Sequence, residues 1–457
     1  MAQNDGALKP ADAAPRGLRA CWRAETGIFL GLWVFLLLVG RSKLFQDPGS
    51  FWHTMVGERL LSTRQLIWTD WLTFTFAGRH WIPHQWLGES LMALIHRIGG
   101  LDSLLLVTVT VLAGMFTWVA SRLLRAGLHW SLAVVLVILV FAASSTHLHV
   151  RPHIGTIVFL AMTVGFLLDY EAGRIGVGRL WWLVPIYLAW TSIHGGALGG
   201  LATIGLALGG WTLYRLIGWE SPFSRWQDFF LCALVLLACA LMVPINPYGF
   251  WLFRTWRAIM GSETLTRIII EHHPLQWRKQ EAWPVLFLGL LYGVCLLSTL
   301  PRRPRVAWLL PAVWLYLACT RIRHAPLFAV PAALAMADML PFTCWARWLS
   351  KTGSDLFQLA PPGAEIRPRR LGWQAWALPT ALVLLALGLQ ASKVETPLIG
   401  HNWVQLDPKV WPVELQGELA KHQGDGTLIF NDLNFGGYLI YFTPGYRIFV
   451  DDRCELY

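Results

Sequence analysis

The sequence predicts an all-α polytopic membrane protein with about 11 transmembrane helices and a small outer α/β segment at the C-terminus. Three observations carry this. The 457 residues are 55% hydrophobic and only 14% charged, with a mean hydropathy of +0.48, whereas about a quarter of the residues of a soluble domain are charged. The apolar residues gather into runs separated by short polar loops, as bilayer crossings require. Arginine and lysine crowd into alternate loops, the pattern of a chain whose cytoplasmic loops are positive.

Taken in order, the elements are as follows. Residues 1–25 are a polar, Ala-rich cytoplasmic tail with Lys9, Arg16, Arg19 and Arg23, and no small-residue cleavage site follows. The apolar runs at 26–44, 101–124, 129–146, 153–170, 180–193, 196–217, 228–245, 284–300, 306–320, 322–341 and 376–391 are read as spans. Several are short enough to require tilt or a thin bilayer. The run 86–98 contains Glu89, His96 and Arg97 and is taken as a helix lying in the outer interface. Eleven crossings from a cytoplasmic N-terminus place Arg122 and Arg125, Arg174 and Arg179, Arg302, Arg303 and Arg305, and Arg367, Arg369 and Arg370 inside. The transmembrane domain is thus 26–391, with a first outer loop at 45–100. The stretch 349–370, with Pro361-Pro362-Gly363, reads as a flexible inner linker.

Composition also excludes some functions. A net charge of +10 made of short basic loops is a topology signal, and no aromatic-basic run resembles a nucleic-acid platform, so no nucleic acid is expected. The seven cysteines include no CxxC, which points to neither a disulfide framework nor a zinc site. Many of the 27 tryptophans end apolar runs, where an indole anchors at the headgroup level.

The loops assigned to the outer face carry the chemistry. Asp47-Pro48-Gly49-Ser50-Phe51-Trp52-His53 follows the first span and places a carboxylate and an imidazole at the membrane surface, although Asp-Pro-Gly also caps helices and opens turns. The same loop holds Glu58, Asp70, His80, His84 and Glu89. Later outer loops hold His147, His149, Arg151 and His153; His194; Glu271, His272 and His273; and Arg321, Arg323 and His324. Taken singly, each suits a solvated loop or a cap. Together, basic groups on the face that normally carries few point to an anionic ligand, since Arg offers a planar fork to phosphate and His can donate from either ring nitrogen.

These residues carry a family resemblance. The first outer loop, with Trp68-Thr69-Asp70-Trp71 and Trp81-Ile82-Pro83-His84-Gln85-Trp86-Leu87-Gly88-Glu89, resembles that of the GT-C superfamily of polyprenyl-phosphate-sugar glycosyltransferases, its bacterial members above all. Further similarities are Trp190-Thr191-Ser192-Ile193-His194-Gly195-Gly196, Asn246-Pro247-Tyr248-Gly249, Gly436-Gly437-Tyr438-Leu439 and Phe449-Val450-Asp451-Asp452-Arg453. The resemblance implies a GT-C-like membrane glycosyltransferase of the bacterial inner membrane, with the C-terminus outside. It would transfer sugar from a polyprenyl-phosphate donor to a lipid, glycan or protein acceptor.

In that reading Asp47 is the general base and Asp70 the second catalytic candidate. His53, His84, Glu89, Arg151, His153, His194, Arg321, Arg323 and His324 bind substrate, the arginines and His153 facing the lipid phosphate. The chain lacks an obvious Asp-x-Asp in the first loop and the Trp-Trp-Asp of oligosaccharyltransferases. Metal ligands are therefore unassigned, with room left for a divalent cation.

The last segment, 392–457, is expected to contain strands at 427–431, 438–442 and 447–451, and it ends directly off a strand, as in a truncated or degenerate relative. The alternative function is a membrane carrier or envelope-assembly protein that binds a phosphorylated lipid without catalysis. A carrier should show mid-span charges or internal repeats, and few charges and no convincing repeat are visible.

Overall fold

A computed structural model describes residues 23–261, 269–359, 374–396, 400, 402–422, 424, 426–453 and 456. The basic tail before Arg23, Arg367, Arg369, Arg370, Pro361-Pro362-Gly363 and Cys454 lie outside the described residues. The molecule is mostly helical. Every run read as a span is a helix over most of its length, and seven helices are long and apolar enough to cross a membrane. Three more apolar helices, Trp226–Leu241, Ala282–Leu297 and Val306–Thr320, are shorter.

Helix α1 (Ala24–Lys43) begins with Glu25 and ends with Arg41 and Lys43, the charge order that a helix dipole favours. Helix α2 (Gly49–Thr63) starts where the Asp47 carboxylate accepts the Gly49 N–H at 2.7 Å. It lies close against α3 (Trp86–Arg125): a Cβ on Gly57 would sit 1.9 Å from the Glu89 carbonyl oxygen. Inside α3 the backbone breaks at Gly99 and Gly100, the latter with φ 67° and ψ −149°, a conformation essentially restricted to glycine. The interface helix and the span expected here are therefore distinct pieces.

Helices α4 (Trp130–Ser144) and α5 (His153–Glu171) follow. At the centre, every residue of Ala325–Met339 is buried. It packs on α3, α4, α5, Ala282–Leu297 and Val306–Thr320, and its many alanines allow the close approach by which helices associate in lipid.

The loops expected inside meet at one end of this bundle. Arg122 and Arg174 both bind Asp169, at 2.8 and 2.6 Å. Arg174 and Arg305 both bind the buried Asp338, which also accepts the Trp308 indole N–H at 2.7 Å. Glu171 accepts the N–H groups of Val306 and Ala307, at 2.8 and 2.7 Å, and so caps the next helix. Helix α5 runs from His153 at the opposite, upper end to Glu171 in this network.

Two expectations fail here. Residues 438–442 are not a strand but part of the helix Gly436–Phe442, whose buried Tyr438, Leu439 and Ile440 turn inward, with Tyr438 packing edge-on to Phe51. The sheet has only β1 (Thr427–Ile429) and β2 (Tyr446–Ile448), which are parallel with Leu428 opposite Arg447, and a parallel pair requires a crossover such as this helix. The linker is also held in part: His129 donates to the Leu356 carbonyl and Gln358 to the Gly127 carbonyl, at 2.9 and 2.8 Å.

Candidate active site

At the upper end, the head of α2 meets the head of α5. Asp47 and Arg151 lie beside Pro48 and Pro152, each of which turns the chain into its helix. The Arg151 Nη1 donates to Asp47 Oδ2 at 2.8 Å and lies 3.8 Å from Glu271 Oε1. One guanidinium nitrogen thus lies between two carboxylates. Burial works against the Arg151 charge, but Asp47 and Glu271 raise its pKa on balance. Glu271 in turn lies 2.8 Å from the His147 Nδ1. Burial pushes the Glu271 carboxyl up, yet His147, Arg323 and Arg151 together hold it well below the usual carboxylate range.

Histidines surround this pair. His53, fully buried, donates from Nδ1 to Glu89 Oε1 at 2.9 Å, which leaves Nε2 as an acceptor. Burial, then Arg151, His84 and His194, keep the ring neutral by lowering its pKa well below the ordinary value. The tautomer of His194 is also set. Its Nδ1 accepts the Gly196 N–H at 3.1 Å and faces the Thr156 hydroxyl at 2.8 Å. That hydroxyl already accepts the Trp190 indole N–H, so its own proton points to His194. The free Nε2 must carry the ring proton and is a donor.

His153 donates from Nε2 to the His147 carbonyl at 2.8 Å. Arg323 donates to His272 Nε2, and burial, with Arg323 second, lowers His272 to about 4. Ring nitrogens of His53, His149, His153 and His272 are buried without a hydrogen-bond partner among the described residues, a concentration that asks for a polar ligand.

The expected residues are not all brought together. Asp47, His53, His84, Glu89, Arg151, His153, His194 and Arg323 share this region. Asp70 is engaged differently: it binds Arg453 Nη2 at 2.7 Å and the Thr73 N–H and hydroxyl, so both its oxygens already have partners. His324 turns its Nδ1 back to the Leu317 carbonyl at 3.2 Å. Arg321 differs from Arg323 because the two flank one residue of a short 3₁₀ turn, and it makes no side-chain bond among the described residues.

Sequence reasoning placed Glu271 in the outer cluster but gave it no role, and it missed Trp52 and Asp452 as members of the site. The Trp52 indole donates to Asp452 Oδ1 at 2.6 Å. Burial pushes Asp452 up, Arg151 pulls it down, and Asp47 and Asp451 push it up again, to about 8. The quoted Asp451-Asp452-Arg453 run was the available signal. Among the described residues no group of three or more His, Cys, Asp and Glu side chains is arranged to hold a metal ion.

The fold and site define a polytopic membrane protein with a buried acid–base and cationic cluster at one end of its bundle. No protein-family model matches the chain, and no curated protein matches it. Among solved structures, it is similar to the Archaeoglobus fulgidus oligosaccharyltransferase tethered to an acceptor peptide with the NVT sequon. The TM-score is 0.48 and the identity 14%, over 93% of this chain and 64% of that one. The archaeal oligosaccharyltransferase AglB in complex with an inhibitory peptide and a dolichol-phosphate is similar at TM-score 0.48 and 12% identity, with the same coverage. The chain spans 64% of the length of these structures.

Proposed function

We propose that the chain transfers a sugar from a polyprenyl-phosphate donor to a lipid, glycan or protein acceptor on the outer face of the bacterial inner membrane. This reading takes the eleven apolar runs as crossings of a GT-C-like fold, with the N-terminus in the cytoplasm, the C-terminus outside and the upper end of the bundle facing out. The observation that carries it is the Asp47–Arg151 pair. It supports the reading by pairing a carboxylate with a guanidinium, the group types that base catalysis and phosphate binding ask for, and the ring nitrogens of His53, His153 and His194 offer further polar partners.

In the reaction the acceptor oxygen attacks the anomeric carbon and forms the new glycosidic bond, while the bond from that carbon to the lipid phosphate oxygen breaks. Asp47 takes the acceptor proton. It rests with one oxygen on the Gly49 N–H and the other on Arg151. As Arg151 turns part of its charge to the donor phosphate, the carboxylate becomes a better base. Arg151, Arg323 and the His194 Nε2–H offset the charge developing on the leaving phosphate, the type of preorganised electrostatic stabilisation that usually dominates such catalysis. Positioned base catalysis contributes about 10²–10⁴-fold.

One observation favours the second reading, a carrier or envelope-assembly protein that binds the phosphorylated lipid without chemistry: both Asp47 oxygens are engaged at rest. The deciding experiment is transfer by purified, reconstituted protein with saturating donor and acceptor, beside mass spectrometry of lipid-linked sugars in a deletion strain. Donor binding without turnover, and no accumulated donor in the strain, would replace the enzyme with the carrier.

A further inference from the structure

The C-terminal segment carries motif residues that the transfer mechanism above leaves unused, and the structure brings them to one place. Asn431 accepts the Phe449 N–H and donates to the Val450 carbonyl, both at 2.8 Å. The Ile448 carbonyl accepts from Phe74 N–H at 3.0 Å, and the Thr75 hydroxyl donates to the Phe449 carbonyl. A Cβ on Gly436 would sit 2.5 Å from the Val450 carbonyl oxygen, and one on Gly437 2.1 Å from that of Pro48, the residue after Asp47. Arg453 is fully buried, binds Asp70 and Asp451 each at 2.7 Å, and lies over the Trp81 ring at 4.6 Å. The Gly437 contact seats this segment against the Asp47 loop, and the others hold the backbone on either side of Asp452, whose carboxyl takes the Trp52 indole N–H.

We propose that Asp452 is a second carboxylate of the site, a positioning residue acting through Arg151 and Asp47, and that Asn431, Gly436, Gly437 and the Asp70–Arg453–Asp451 lock hold it there. The charged groups that face it are Arg151 from the head of α5, Asp47 from the head of α2, and Asp451 on its own segment. Asp47 and Glu271 already offer two negative charges to the single Arg151. A third would turn the seat strongly anionic and repel a phosphate. With Asp452 carrying its proton at neutral pH, Arg151 keeps charge to share with the donor. Asp70, expected to be catalytic, serves here to place the carboxyl that matters.

The inference rests on the proposed phosphate seat only for its consequence in binding, so two arms test it separately on the full chain in nanodiscs. The first is an infrared pH titration. The parent should show a protonated-carboxyl C=O band that is lost near pH 8; the band should be missing in Asp452→Asn and should titrate at lower pH in Asp47→Asn, because a repelling charge has gone. A band unchanged in Asp452→Asn overturns the proposal. The second arm is binding of undecaprenyl phosphate. Affinity in the parent should fall by about tenfold between pH 7 and pH 9, as one more like charge appears in a partly buried site, and Asp452→Asn should flatten that fall while Asp452→Glu restores it. The same fall in Asp452→Asn also counts against the proposal. Undecaprenyl phosphate that binds the parent at no pH sinks the donor reading instead, and the infrared arm still decides Asp452.

Discussion

The carboxylate of Asp47 and the guanidinium of Arg151 meet at 2.8 Å although 104 positions separate them in the chain. The contact joins the loop after the first apolar helix to the start of α5, and it is the joint at which binding and chemistry would be coupled.

Asp47→Asn should lower sugar transfer by about 10²–10⁴-fold, since the amide keeps the cap to Gly49 but cannot take a proton. Arg151→Gln should cost more in stability, about 3–5 kcal/mol, because it leaves mostly buried Asp47 and Glu271 without their shared cation. Initial rates and thermal unfolding measured on both variants separate the two roles. Parent-like turnover in Asp47→Asn would reduce the residue to a helix cap.

Arg323→Gln should weaken donor binding by about 1.5–3 kcal/mol, the range for a hydrogen bond to a charged group, and Arg321→Gln by little. The asymmetry follows from the bond of Arg323 to His272 and its reach to Glu271 and His194. Equal losses in the two variants, by calorimetry with a polyprenyl-phosphate sugar, would remove the asymmetry.

Arg453→Met should destabilise the protein by about 3–5 kcal/mol, because Asp70 and Asp451 remain buried without their counter-ion. Asp70→Asn should act in the same direction, with its lost activity tracking lost folded protein in a denaturant series. Fully folded but inactive Asp70→Asn would return Asp70 to the chemistry.

Acidification should destabilise the upper end from about pH 6.5 downward. His272 titrates near 4 when folded but at about 6.5 when unfolded, so between these values the unfolded chain binds more protons and stability falls with pH. Glu271, held below its ordinary value, adds to the loss in the acid range below about 4.3. His272→Gln should flatten the dependence of the unfolding midpoint between pH 6.5 and 4. A midpoint that falls as steeply in this variant would assign the loss to other groups.

Much of the helical plan was legible because a helix in lipid must be apolar for most of its length: each run from 26–44 to 376–391 is helical, and the break before residue 101 coincides with the Gly99–Gly100 kink. The gathering of the loops of Arg122, Arg174 and Arg305 at one end was legible, since they meet as the alternation of charge implied. Asp338 was not, since nothing within its apolar run says which arginines it will bind. The 438–442 run misled because its aromatic and β-branched residues suit a strand, and tertiary packing on Phe51 decides for helix. In the site, one-sided clustering placed Asp47, Arg151 and His194 in one region. Pairings over long separations, such as Asp70 with Arg453 and Trp52 with Asp452, leave no local periodicity to read.

The paired charges around Asp169 and Asp338 clamp the helices together at the lower end. Four ion pairs cross it, two on each carboxylate. Asp338 is buried, and stripping a partner from a buried charge costs about 3–5 kcal/mol, whereas Arg174 and Asp169 are partly exposed and their own pair contributes less. Parting the helices at this end would break several of these contacts at once. The lower end is therefore clamped while the opposite end keeps the Asp47–Arg151 pair, so a ligand of that pair would enter and leave by the upper rim or sideways between helices.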